Sequence, residues 1–184
     1  DRGTSGCLLV AKRRAALRQL HGLLRTGGMD KRYLALVRGR WPHGISKVDV
    51  SLSTRRRGGE SIVRADAEGK RSLSRFRVVE RLGDRATLVE VSIRTGRTHQ
   101  IRVHAAHAGY PVAGDPRYGD PKFNIELSAR GLKRIFLHSH ALAFDWPGSE
   151  ETFAVSSPLP PELTAILDSL DLPGPAPAGR GRSP

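Results

Sequence analysis

Two stretches of alternating apolar and polar residues, 74–80 and 86–93, stand on either side of Gly83-Asp84. Alternation with period two puts one set of side chains on each face of a strand, and a Gly-Asp turn between two such runs signals a hairpin. A chain committed to that hairpin has to build an antiparallel sheet around it, and other stretches can supply the partners. Residues 31–37 alternate and are closed by Gly39 and Trp41-Pro42, residues 134–144 read as a long strand, and 152–155 as its partner. The apolar run 6–11 reads as a buried strand. A weak strand lies around 48–52, within a polar, Gly-rich excursion from 43 to 72. Helical spacing is confined to three places: Ala15, Ala16, Leu17, Leu20, Leu23 and Leu24 before Gly27-Gly28; Ile101, Ala105 and Ala108 within 98–108; and Leu163, Ile166, Leu167 and Leu170 after Pro161. Strands outnumber helices, so the expected fold is α+β, a mixed, mostly antiparallel sheet with flanking helices. With 38% hydrophobic residues there is enough apolar material for a core. One domain over residues 1–172 is expected, then a disordered Pro/Gly/Arg tail at 173–184, which has too few large apolar groups to offset its ordering entropy. The chain opens on Asp1 rather than Met and reads as a fragment whose upstream part is missing.

Charge narrows the function. The 184 residues carry 31 Lys and Arg against 18 Asp and Glu, a net +13. The excess is uneven: residues 1–134 hold 29 basic and 12 acidic groups, whereas 135–179 contain no Lys or Arg. A polyanion, nucleic acid above all, is the expected partner of the first two-thirds, and the last third reads as scaffold. A single cysteine, Cys7, excludes a disulfide framework and a Cys-based zinc ribbon, and suits a reducing, cytoplasmic compartment. No apolar run is long enough to span a bilayer, so no membrane association is expected.

Three stretches could carry chemistry. Asp1-Arg2-Gly3-Thr4-Ser5-Gly6 sets a carboxylate on a Gly-rich loop before a strand, either exposed and reactive or an ordinary turn. Thr95-Gly96-Arg97-Thr98-His99-Gln100-Ile101-Arg102-Val103-His104 opens a helix with a hydroxyl at the N-cap and arginines nearby. It is either an anion site built on the helix N-terminus and the forks of Arg97 and Arg102, or a solvated cap. Lys31-Arg32-Tyr33-Leu34 sets a tyrosine among cations, for stacking on a base or for packing in the core. His104 with His107, and His138 with His140, share a face in pairs, but no acidic or Cys ligand stands at a matching spacing, so no metal is expected.

Taken together and in this order, these stretches resemble the RluA-type pseudouridine synthases. Ala113-Gly114-Asp115-Pro116-Arg117-Tyr118-Gly119 and Leu137-His138-Ser139-His140-Ala141-Leu142 extend the likeness over most of residues 1–170, and within the family residues 20–41 look most like the large-subunit rRNA enzymes. The resemblance implies a mixed sheet with a central RNA-binding cleft, and isomerisation of uridine to pseudouridine in RNA, most specifically 23S rRNA, by a monomer without cofactor or metal. In the family pattern His-Arg-Leu precedes the aspartate that matches Asp1, and an S4-like RNA-binding domain is common upstream; neither lies within these 184 residues. The resemblance makes Asp1 the catalytic nucleophile, Arg102 its partner, and Tyr33 the residue stacked on the flipped base. Arg2, Arg97, Thr98, His99, Gln100 and Ile101 are expected to bind substrate, with the basic groups of residues 12–40 on RNA phosphates. A non-catalytic, ribosome-associated RNA-binding module explains the charge equally well, but gives no reason for Asp1 to coexist with the Arg97–Arg102 run.

Overall fold

The computed structural model of the chain describes residues 1–58 and 60–171. The tail at 173–184, and with it the domain boundary at 172, lies outside the described residues. In chain order the elements are β1 (Ser5–Gly6), α1 (Arg14–Thr26), β2 (Asp30–Arg38), β3 (Lys47–Asp49), β4 (Leu52–Arg57), β5 (Glu60–Ala65), β6 (Leu73–Leu82) and β7 (Ala86–Ile93). They continue with α2 (Gln100–His107), α3 (Pro121–Ala129), β8 (Leu137–Asp145), β9 (Thr152–Ser156) and α4 (Pro161–Asp171). The main sheet runs β1-β8-β2-β7-β6-β3, with β9 also on β8, and β4–β5 form a separate two-stranded sheet. Every pairing is antiparallel except β1 with β8, so the sheet is mixed and mostly antiparallel as expected.

The central strand β2 explains how the molecule layers. Ala35 and Val37 face a core shared with Val89, Val91, Ile101 and Ala105, where α2 lies against the sheet and Trp41 stacks on Phe76 at 4.4 Å. Leu34 and Leu36 point the other way, into a core with Phe123 and Leu127 of α3 and Leu163 and Ile166 of α4. Lys31 and Tyr33 share the α2 face of the strand with Ala35, because side chains two apart lie on one side. Lys31 and Tyr33, from one of the stretches singled out in the sequence, are therefore on the α2 face, where β2 runs past the apolar core.

Four expectations need correction. The stretch 6–11 is not a buried strand: ladder pairing ends at Gly6, and Leu8 and Val10 are exposed while Cys7, Leu9 and Ala11 pack beside Leu20 and Phe144. One inward face suffices to hold it, so its apolar run is half solvent-facing. The polar excursion contains a full hairpin, β4–β5, whose inner side chains Leu52 and Val63 pack with Val103 and Tyr118. The second helix starts at Gln100 rather than 98, and its N-cap is His99 at φ 53° with no side-chain cap, so Thr98 does not cap it. Helix α3 was not expected. Asp120 accepts the Phe123 N–H at its N-cap and Pro121 opens it, but only Phe123 and Leu127 face inward, too few for a periodic signal.

Candidate active site

The N-terminal loop is fixed before any of its chemistry is considered. Ser5 and Gly6 pair with His138 and Ser139 of β8. Gly6 sits at φ 102°, and a Cβ there would fall 2.2 Å from the Ser139 carbonyl oxygen, so only glycine allows this approach. The His138 ring donates through Nε2 to the Ser157 carbonyl at 3.0 Å, which leaves Nδ1 to accept the Ser5 hydroxyl at 2.8 Å. Arg134 donates to Gly3 O and to Ser5 Oγ. The loop that carries Asp1 is thus held to the sheet by a glycine contact and a buried histidine. That histidine is spent on structure, as is His104, which bonds Ser72, Ser74 and the Val50 carbonyl.

Opposite Asp1 stands the loop into α2. Gln100 ties it down: its Oε1 accepts from Thr95 Oγ1 and the Arg97 N–H, and its Nε2 donates to Leu73 O and Ser74 Oγ. Its amide is fully occupied by the protein. His99 takes a left-handed backbone, which costs a non-glycine residue about 1–2 kcal/mol, and the turn carries its ring toward Asp1. Its Nε2 lies 3.3 Å from Asp1 Oδ1. On its other side Nδ1 is 2.9 Å from the Tyr118 hydroxyl, which accepts the Val63 N–H at 3.1 Å. Since that hydroxyl accepts from Val63, its own proton goes to His99 Nδ1, and the ring proton belongs on Nε2, facing Asp1. Burial, then the guanidinium charges of Arg102 and Arg117, push the His99 pKa down to about 4, so the ring is neutral at pH 7.

Arg102, from the first turn of α2, is held by a residue that local sequence reading left without a role. Its Nε and Nη2 donate to the two oxygens of Asp115 at 2.7 and 2.8 Å, a bidentate fork. Asp115 is fully buried and also accepts the N–H groups of Arg117 and Tyr118. Burial alone would raise its pKa; the Arg102 fork, those two N–H bonds and the Arg102 charge outweigh it and hold the carboxyl below its usual range. The remaining nitrogen, Nη1, lies 3.6 Å from Asp1 Oδ1. The guanidinium also lies over the Tyr118 ring, 5.0 Å from its centroid. Asp115, Tyr118, Arg102 and His99 therefore form one bonded corner around Asp1.

A cavity of ≈ 340 Å³ opens beside this corner, walled by Asp1, Thr4, Lys31, Tyr33, Ile93 and the 96–101 loop, within the roughly 300–1,000 Å³ usual for ligand clefts. Of the residues picked from the sequence, Asp1, Tyr33, Arg97, Thr98, His99, Gln100 and Ile101 line it; Ile101 also belongs to the core, and Arg102 reaches it through Asp1. Arg2 is exposed and not part of the lining. Thr4, Lys31, Asp115 and Tyr118 were missed. The first two sit inside quoted motifs, and the last two belong to the Gly114–Gly119 turn, whose polar residues next to glycines were the available signal. Burial raises the Tyr33 pKa, which keeps its phenol protonated. From the cavity rim at Gly96 and Arg97 a second groove of ≈ 480 Å³ runs along Arg94, Arg25 and the end of α1. Among the described residues no group of three or more His, Cys, Asp or Glu side chains is arranged to hold a metal ion, and no helix is long and apolar enough to cross a membrane.

The profile of the family described as RNA pseudouridylate synthase matches residues 1–107. The chain is 50% identical over 173 residues to ribosomal large subunit pseudouridine synthase C of Escherichia coli (strain K12), covering 92% of this chain and 54% of that protein. It is 49% identical over 171 residues to the protein of the same name from Yersinia pestis, covering 92% and 53%. The chain thus spans about half the length of the curated relatives it matches. The solved structure of human RNA pseudouridylate synthase domain containing 1 superposes with a TM-score of 0.71 at 31% identity, covering 90% of this chain and 70% of that one. Human RNA pseudouridylate synthase domain containing 4 shares the fold, with a TM-score of 0.66 at 22% identity.

Proposed function

Because the chain belongs to the RNA pseudouridylate synthase family, we propose that it isomerises uridine to pseudouridine in RNA, with large-subunit rRNA as the substrate. The observation that carries this reading is the Asp1 corner: a cavity-lining carboxylate with the third nitrogen of an otherwise clamped arginine 3.6 Å away. The curated relatives' name supports the choice of rRNA.

The target base is stacked in RNA and has to be flipped into the cavity, at a cost of a few kcal/mol. Tyr33, protonated and half-buried on β2, supplies a ring for the base to lie on. Asp1 acts as the nucleophile. A carboxylate in a site closed by RNA loses hydration, and the Arg102 charge 3.6 Å away offsets part of that loss. That charge needs no reorganisation at the moment of reaction, because Asp115 already fixes the guanidinium plane. Neutral His99 turns an N–H toward the same oxygen and orients the carboxylate without adding a titrating charge. Uracil detaches, rotates and rejoins through carbon, all within one nucleotide, so no redox partner or metal is required. Arg25, Arg94 and Arg97 along the second groove provide cations for the RNA backbone on either side of the flipped nucleotide.

The test is pseudouridine formation on rRNA, read by tritium release or carbodiimide mapping. The unaltered protein should convert uridine, and Asp1→Asn should lower conversion at least about 10³-fold while RNA affinity stays within a few-fold. An Asp1→Asn protein that still converts uridine shows that Asp1 is not the nucleophile, and an inactive wild type that binds rRNA returns the chain to the RNA-binding-module reading.

A further inference from the structure

The wall of the same cavity contains a cation to which the steps given above assign no role. Lys31 is 7% exposed, on the central strand, with Ile93 of β7 and Leu142 of β8 as its register partners. Its stem is therefore closed in by the sheet on both sides, and its ammonium points to the cavity rather than to solvent. The Nζ meets the Thr95 carbonyl at 3.5 Å, and Gly96 leaves the space beside it open, since a Cβ there would stand 3.4 Å from the ammonium. No carboxylate pairs with it among the described residues. Burial alone lowers its pKa, with no opposing charge to raise it. In the same wall the Thr4 hydroxyl is buried without a hydrogen-bond partner. Buried ammonium groups are normally paired. One that is not, in the wall of a substrate cavity, is complementary to negative charge that arrives with the substrate or develops during its reaction.

We propose that Lys31 is a catalytic residue of this cavity, its ammonium binding an oxygen of the uracil ring as the base separates from the ribose. The proposal rests on the pseudouridine synthase reading and deepens it. When Asp1 attacks the sugar, it supplies the electron pair of a new C1′–O bond, and the pair of the broken N1–C1′ bond leaves with uracil. The departing base is then an anion, with charge spread over N1 and the O2 and O4 carbonyls. Rejoining forms the C5–C1′ bond and releases the Asp1 carboxylate with its own pair; the proton lost from C5 is matched by one gained at N1. The charged interval is the one in which Lys31 acts. A rise of about 3.3 Å per residue puts Lys31 and Tyr33 roughly 6.6 Å apart on one face of β2, so an ammonium borders the ring on which the base lies. Depth distinguishes base from phosphate. Arg94 and Arg97 are exposed at the rim, where a hydrated phosphodiester can reach them, whereas Lys31 is enclosed.

The experiment separates binding from chemistry in the intact protein: RNA affinity over a salt series, and the single-turnover rate at saturating enzyme, for wild type, Lys31→Met and Lys31→Arg. If Lys31 holds the departing base, Lys31→Met lowers the single-turnover rate about 100-fold or more, keeps affinity within three-fold, leaves the salt dependence unchanged, and is partly rescued by Lys31→Arg. A second readout is independent of how much variant folds. RNA carrying 5-fluorouridine releases a more stable base anion but has no C5 proton to lose, so its rate is read as the loss of intact 5-fluorouridine rather than as pseudouridine formed. On that readout the Lys31→Met rate relative to wild type should be less depressed than it is on uridine. An unchanged rate, an equal loss on both substrates, or weakened affinity with a salt slope lower by about one overturns the proposal; the last outcome makes Lys31 a phosphate ligand. A wild type that converts no uridine overturns the reading of function itself, and with it this one.

Discussion

Arg102 and Lys31 are both buried cations serving one cavity, and they are built in opposite ways. Arg102 spends two of its three nitrogens on Asp115, lies over Tyr118, and leaves one nitrogen facing Asp1. Lys31 has a single carbonyl contact and no ion pair among the described residues. The first cation is saturated by the protein and fixed before substrate arrives; the second is left for the substrate to satisfy. With Asp1 as the proposed nucleophile and Lys31 as the proposed partner of the departing base, one corner would hold the attacking group ready and the other cation would respond to what the attack produces.

This difference has opposite consequences for stability, which gives the largest test of it. Removing Asp115 strands a buried guanidinium, and breaking a buried pair from one side costs about 3–5 kcal/mol. Asp115→Ala should therefore lower the urea midpoint severely and abolish turnover. Lys31→Met replaces a buried, unpaired ammonium by an apolar side chain of similar length, and should be neutral within about 1 kcal/mol or stabilising. If Lys31→Met is as damaging as Asp115→Ala, the contrast between the two cations is wrong. Arg102→Lys is the matching probe on activity. It keeps the charge but loses the fork, so turnover should drop about 100-fold with RNA affinity preserved.

A smaller effect tests the His99 arm of the Asp1 corner. The native His99 pKa of about 4 lies below the ordinary value near 6.5. Between those values the unfolded chain binds a proton that the native protein refuses, so stability rises with pH across the window and is lost as pH falls from about 6.5 toward 4. His99→Gln keeps a polar side chain and removes this dependence. Urea midpoints at pH 7 and pH 5 should fall further in wild type than in His99→Gln; equal falls would mean that the ring is not held neutral.

How far the sequence disclosed this molecule depends on how local the determinants are. The β6–β7 hairpin was legible because alternation and its Gly83-Asp84 turn lie within twenty residues, and α1 because Gly27, at φ 72°, stops an apolar stripe. The β4–β5 hairpin was not. Arg55 and Arg64 dominate its outer face, and what makes it fold is Val63 and Leu52 meeting Val103 and Tyr118, residues distant in the chain. The candidate site divides in the same way. Asp1, Tyr33 and Arg102 stand in motifs for which the resemblance implies a role, whereas Asp115 stands in one that carries no stated role and becomes informative only when the Gly114–Gly119 turn brings it under the Arg102 fork. In the sequence Lys31 stands among the basic groups of residues 12–40 expected on phosphates. Its charge was plain in the sequence, but its burial follows from the two strands that flank β2.

The smallest predicted effect completes the contrast between floor and rim. Arg94 is exposed in the groove that leaves the cavity at Gly96 and Arg97. An exposed cation that meets a phosphate releases about one counterion's worth of salt dependence and contributes little else. Arg94→Ala should weaken rRNA affinity by a few-fold at low salt, lower the slope of log affinity against log salt by about one, and leave the single-turnover rate at saturation unchanged. This is the inverse of the Lys31→Met pattern, in which rate falls and affinity holds. The pair of variants assigns each cation to backbone or base by which quantity moves. If Arg94→Ala instead slows the chemistry at saturation, the groove is not a passive track for the backbone, and the boundary between binding rim and reacting floor lies farther out than Gly96.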